Sequence, residues 1–110
     1  MGTPPLPLVQ GTLDLIVLGT LKAAPMHGYA IAEHVRDGTQ GQITIEDAAL
    51  YQAVHRLERQ GLVDAEWGAS DNNRRARYYR LTAAGRKRLE AQAAQWRRYA
   101  RLIEALLKGV

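Results

Sequence analysis

The sequence predicts a mainly helical chain with one small antiparallel β hairpin and a long helix at its C-terminal end. Three observations carry that expectation. Short apolar stretches of helical period are punctuated by Pro25, Gly28, Gly41 and Gly61. Two half-apolar runs, 62–67 and 77–81, bracket a loop rich in glycine, aspartate and asparagine. Finally, Leu89, Ala93, Trp96, Ala100, Ile103 and Leu107 recur at alternating spacings of four and three, which is a heptad seam.

Each element follows from its residues. Met1 to Gln10 carries three prolines and no cation, so it reads as an extended arm and not a signal peptide. The first helix is expected over 11–24, with Thr12 as its cap. It is apolar over most of its circumference through Leu13, Leu15, Ile16, Val17, Leu18 and Leu21. A helix of that kind is covered on more than one side, and in a chain of 110 residues the second cover is expected from another subunit. A turn at 25–28 leads to a second helix over 29–37, with Ile31, Ala32 and Val35 inward. Ile43-Thr44-Ile45 reads as a short strand.

Glu46 and Asp47 suit the positive end of a third helix, whose buried face holds Leu50, Val54 and Leu57 and which Gly61 closes. After the hairpin, Thr82 caps a last helix running to about Lys108. Twenty-six residues from 83 to 108 span roughly 39 Å, too long to be covered by so small a domain alone. The order helix, helix, strand, helix, hairpin, long helix is that of a winged helix–turn–helix with an added helix. The divisions expected are an arm over 1–10, a DNA-binding domain over 11–81 and a dimerisation helix over 82–110.

Charge places the interaction surface. The chain has a net charge of +4, but it is divided unevenly. Residues 1–55 hold Lys22 and Arg36 against five carboxylates, whereas residues 56–110 hold thirteen cations against six carboxylates. Opposite its buried face, the third helix presents Gln52, His55 and Arg59, flanked by Tyr51 and Arg56. Gln52, His55 and Arg59 are the expected base-edge contacts, and Tyr51 and Arg56 the expected phosphate contacts. On the hairpin, Asn73, Arg74, Arg75 and Arg77 are the expected DNA contacts, the arginines gripping phosphate or the minor groove and Asn73 also forming the turn.

The stretches 11–18 (Gly-Thr-Leu-Asp-Leu-Ile-Val-Leu) and His27-Gly28-Tyr29 resemble the opening of PadR-type transcriptional regulators. Residues 50–63, starting at Leu50-Tyr51 and ending at Leu62-Val63, resemble their recognition helix and first wing strand. The stretch from Asn72 to Thr82 is similar to their wing, so the likeness spans roughly residues 8–107. The resemblance implies a two-fold dimer joined largely through the last helix. It also implies repression of transcription and, as in many members, release from DNA by a small molecule. The chain's length resembles the subgroup with a single C-terminal helix. Two departures concern the recognition helix: Gln52 stands where relatives often carry proline, and Ala49 where they often carry a small hydroxyl residue. The operator therefore cannot be carried over.

The seam of Leu89, Ala93, Trp96, Ala100, Ile103 and Leu107 is the expected dimer interface. A tryptophan on a two-fold seam is most often packing, but two copies of Trp96 could also wall a slot for a planar aromatic effector. Leu15, Val17 and Leu18 of the first helix would line that slot. The expected partners are double-stranded DNA, a second copy of the chain and such an effector, without a membrane. No cofactor, metal or enzymatic activity is expected. There is no cysteine, Ser70 is the only serine, and His27, His34 and His55 lack ligand spacing. The absence of cysteine suits a reducing cytoplasm. Two other readings stay open on the residues alone: an RNA-binding accessory module using Tyr78 and Tyr79 for stacking, and a winged-helix adaptor that binds protein.

Overall fold

A computed structural model of the chain describes residues 4–110. The order is α1 (Leu13–Leu21), α2 (Gly28–Gly38), α3 (Asp47–Arg59), β1 (Val63–Ala69), β2 (Arg75–Leu81) and α4 (Ala83–Leu106). The mainly helical fold with an antiparallel wing is as the sequence predicts. Of the N-terminal arm, Met1 to Thr3 lie outside the described residues. The rest runs exposed, tied to the body by the Leu6 N–H donating to the Gln42 carbonyl at 2.8 Å.

Helix α1 sits at the centre of the subunit, against α2, α3, α4 and β2. Its Val17, Leu18 and Leu21 join Ile31 and Val35 of α2 and Leu50, Ala53, Val54 and Leu57 of α3 in one buried core. The hairpin closes that core with Leu62, Val63, Tyr79 and Leu81. The apolar circumference of α1 is met in part within one chain: Val17, Leu18 and Leu21 are buried, and Leu13, Leu15 and Ile16 half-buried. Thr12 occupies the first position before the helix but does not cap it; its hydroxyl donates backward to the Val9 carbonyl at 2.6 Å.

The expected strand at Ile43–Ile45 does not form. Thr39 holds this segment instead: its Oγ1 accepts from the Ile43 N–H at 3.0 Å and donates to the Val35 carbonyl at 2.8 Å. Ile45 is then buried as a loop residue that reaches the core. The partner for the hairpin comes from elsewhere. Met26 and Tyr79 exchange backbone hydrogen bonds at 3.0 and 2.9 Å, laying the turn before α2 along the outer edge of β2. His27, next in the chain, caps α2 by accepting from the Ala30 N–H at its Nδ1. Burial pushes the Tyr79 hydroxyl above its ordinary range, so this side chain is neutral where it packs.

Helix α4 is joined to the body by its first turns. The Thr82 hydroxyl accepts from the Gly85 N–H at 3.0 Å and donates to the Gly61 carbonyl at 2.7 Å. The Thr82 N–H donates to the Leu62 carbonyl at 3.1 Å. Gly85 is buried at this junction and Leu89 packs against the core. Farther along, the helix leaves its own domain: Trp96, Tyr99, Leu102, Ile103, Leu106 and Leu107 are all exposed, Leu106 to 81%. Among the described residues, no helix is long and apolar enough to cross a membrane.

Candidate nucleic-acid interface

The outward face of α3 is built by the same periodicity that buries its other side. Tyr51, Gln52 and Arg59 are exposed, whereas His55 and Arg56 are half-buried. His55 stacks on Tyr51 with ring centroids 4.2 Å apart, and its Nε2 is enclosed without a hydrogen-bond partner. Expected as a base reader, this ring turns inward, so Tyr51, Gln52 and Arg59 are the exposed donors on this face. Arg56 is also turned aside. Its guanidinium makes two hydrogen bonds to the Asp14 carboxylate of α1, which hold it above its already high ordinary pKa. This pair fastens α3 to the central helix, and it occupies N–H groups that the sequence assigns to phosphate.

The wing is shaped by its turn. Asn73 adopts a left-handed backbone, φ 60°, which asparagine tolerates better than most residues, and its N–H donates to the Ser70 carbonyl at 2.8 Å. The Ser70 N–H and hydroxyl both donate to the Arg74 carbonyl, so Ser70 acts as the clasp of the loop. Asn73 serves the turn, as its sequence suggests. Trp67 pairs with Arg77 and Ala69 with Arg75, so Trp67, Arg75 and Arg77 share one face of the hairpin. That face looks toward α3, because Arg77 donates to Glu58 at 2.6 Å. Tyr29, Tyr51, Trp67, Arg74, Arg75 and Arg77 thereby come to line a single groove between the wing and the helix pair.

The four wing arginines do not share one role. Arg77 is held by Glu58; Arg80 is held by Asp64 at 2.6 Å, with Glu66 at 3.7 Å, which raises its pKa further. Arg74 and Arg75 have no carboxylate partner among the described residues. Arg75 instead lies over the exposed Trp67 ring, 4.7 Å from its centroid. Sequence reasoning missed Asp14 as the partner of Arg56, Glu58 as that of Arg77 and Trp67 as that of Arg75. The separations, 42 and 19 residues for the two cross-element pairs, leave no local signal. Trp67 opposite Arg77 could have been found by aligning the two predicted strands.

A second groove lies on the other side of α1, lined by Val9, Leu15, Gln92, Trp96 and Tyr99 among others. Leu15 and Trp96, paired in the sequence reading, do meet here. Val17 and Leu18 do not: both are fully buried in the core and cannot line an accessible slot. The Gln92 Oε1 is buried beside this groove without a hydrogen-bond partner. Among the described residues, no cluster of histidine and carboxylates is placed to hold a metal.

Two helices set before a third, with an arginine-bearing hairpin beside it and a long helix behind, define a winged-helix regulator of transcription. The family described as "Transcriptional regulator PadR-like family" matches residues 17–91, and the chain belongs to it. It is similar to a solved transcriptional regulator from Clostridium thermocellum, at 29% identity and a TM-score of 0.82, covering 90% of this chain and 93% of that one. A PadR family transcriptional regulator from Eggerthella lenta is 35% identical, with a TM-score of 0.78 and coverage of 92% and 86%. An uncharacterized protein of Lysinibacillus sphaericus is 26% identical over 103 residues, 94% of each chain. The family and these solved neighbours are transcription regulators, not enzymes.

Proposed function

We propose that this chain binds double-stranded DNA as a homodimer on a roughly palindromic operator and represses transcription there. The observation that carries the reading is the shared groove: unpaired arginines of the wing and the exposed face of α3 lie on one side of the subunit. A helix of this exposure fits the major groove, with the wing on the flanking backbone. The exposed apolar stripe of α4 supplies the two-fold partner surface, since soluble chains seldom leave so many large apolar side chains in water. The divisions at 10/11 and 81/82 follow: a DNA-binding domain ends where Thr82 caps the helix that pairs the subunits.

Electrophoretic or fluorescence titration of a selected duplex tests this directly. Log affinity is expected to fall linearly with log salt, because arginines displace condensed counterions. Gln52→Ala should cost about 1–3 kcal/mol and relax preference at one base pair. Arg74→Ala should weaken all duplexes alike and lower the salt slope by about one per subunit. A salt-independent affinity, or equal binding of single-stranded RNA, would contradict the reading.

The groove at Leu15, Trp96 and Tyr99 supports a small planar aromatic effector that releases the operator. An aromatic ring against Trp96 would gain offset stacking, and Gln92 would gain a hydrogen-bond donor from the ligand. In a Trp67→Phe background, where Trp96 is the only tryptophan, an aromatic effector is expected to quench emission and weaken operator binding in parallel. Emission unmoved by a panel of planar aromatics would remove this part of the proposal.

A further inference from the structure

Of the wing arginines, two are consumed by carboxylates. An ion pair neutralises the guanidinium's charge and occupies its N–H groups, so Arg77 on Glu58 and Arg80 on Asp64 are poor candidates for gripping an anion. Arg75 is held in another way. It lies diagonally across the hairpin from Trp67, on the same face, with its guanidinium carbon 4.7 Å from the ring centroid. Stacking uses the flat face of the guanidinium and leaves its edge, with the full charge and the forked N–H donors, free for a phosphate. Trp67 meanwhile is 56% exposed, an expensive placement for the largest apolar side chain unless its ring has a task at the surface.

We infer that Trp67 is a positioning residue for DNA binding: its ring holds Arg75 in an ordered, unneutralised state beside α3, ready to clamp a backbone phosphate of the operator. The inference rests on the DNA-binding reading above and deepens it by separating the wing's gripping arginine from its structural ones. A free arginine loses rotamer freedom when it is immobilised at an interface; one already stacked on a ring has lost part of it beforehand. Arg74, one residue away and without a stacking partner, lacks that advantage. Trp67 also acts without contributing charge, so its effect can be told apart from that of Arg75.

The test is a double-mutant cycle on the full chain, titrated with its selected duplex at several salt concentrations: Trp67→Leu, Arg75→Ala, the double variant and Trp67→Phe. Arg75→Ala is expected to weaken binding and to lower the salt slope by about one per wing. Trp67→Leu should weaken binding roughly two- to fivefold per wing while leaving the slope unchanged, since the charge remains. Added to Arg75→Ala, it should cost nothing more, and Trp67→Phe should recover most of the loss. If Trp67→Leu costs as much without Arg75 as with it, the tryptophan touches DNA itself or only supports the fold, and the inference fails. It fails equally if Trp67→Leu has no effect while Arg75→Ala does. A wild-type protein that binds no duplex at any salt concentration would overturn the DNA reading and this inference together, whereas wild-type binding with additive variants overturns the pairing alone.

Discussion

Ile103→Glu is expected to convert the proposed dimer to a monomer and to lower operator affinity by roughly two to four orders of magnitude. The side chain lies on the part of α4 that no element of its own subunit covers, 38% exposed and flanked by Leu102, Leu106 and Leu107. In the monomer a glutamate there meets only water, so the chain should still fold, melting below wild type only by what association of the two subunits adds. Across a two-fold seam the same substitution sets two carboxylates against apolar surface and near each other, which costs several kcal/mol. Loss of the second subunit then removes the high effective concentration that lets the second half-site bind once the first is held. Light scattering reports the mass and a duplex titration the affinity. A protein that stays dimeric would place the interface elsewhere.

Gly85→Ala is expected to lower the melting temperature by roughly 5–20 °C, against the direction that helix propensity alone would give. In an open helix, alanine for glycine gains about 1 kcal/mol. Here the added Cβ would collide with the Leu62 carbonyl oxygen and stand 3.0 Å from its carbon and 3.3 Å from a methyl group of Leu81. The neighbour is backbone, held by the Thr82 N–H and by the hairpin, so it cannot swing aside as a flexible side chain would. Overpacking of this kind costs about 1–3 kcal/mol, and relief requires α4 to lift from the hairpin. The same junction sets the angle between the wing and α4, so operator affinity should fall together with stability. A variant that melts above wild type in a thermal scan would show that α4 does not seat on Leu62.

Most of this architecture was legible because it rests on local periodicity. The buried stripe of α3, the hairpin and the Thr82 cap are each written in spacings of two, three or four residues, whereas Leu89, expected on the dimer seam, packs against the chain's own core. The strand expected at Ile43–Ile45 failed because β-branched residues only mark a segment that fits a sheet, and here the side chain of Thr39 supplies the backbone partner instead. The site was legible at the level of faces but not of pairings. Sequence places Arg56 and His55 on the outward side of α3; only the fold brings Asp14 to one and encloses the other. Likewise Leu15 and Trp96 meet, while Val17 and Leu18, two and three residues on from Leu15, turn into the core. At about 100° per residue Val17 lies across α1 from Leu15, whereas Leu18 is only about 60° around from it and is kept from the groove by the depth of the core, which spacing alone does not reveal.

In the proposed dimer, a two-fold axis doubles the α3 and wing surface into a reader of duplex DNA. Selection of bound duplexes from a random pool by the wild-type protein, followed by sequencing, reads out that symmetry. The enriched duplexes should share an inverted repeat whose half-site centres lie one or two helical turns apart, about 34–36 Å or twice that. Enrichment of a single asymmetric half-site, or of nothing above the starting pool, would contradict it.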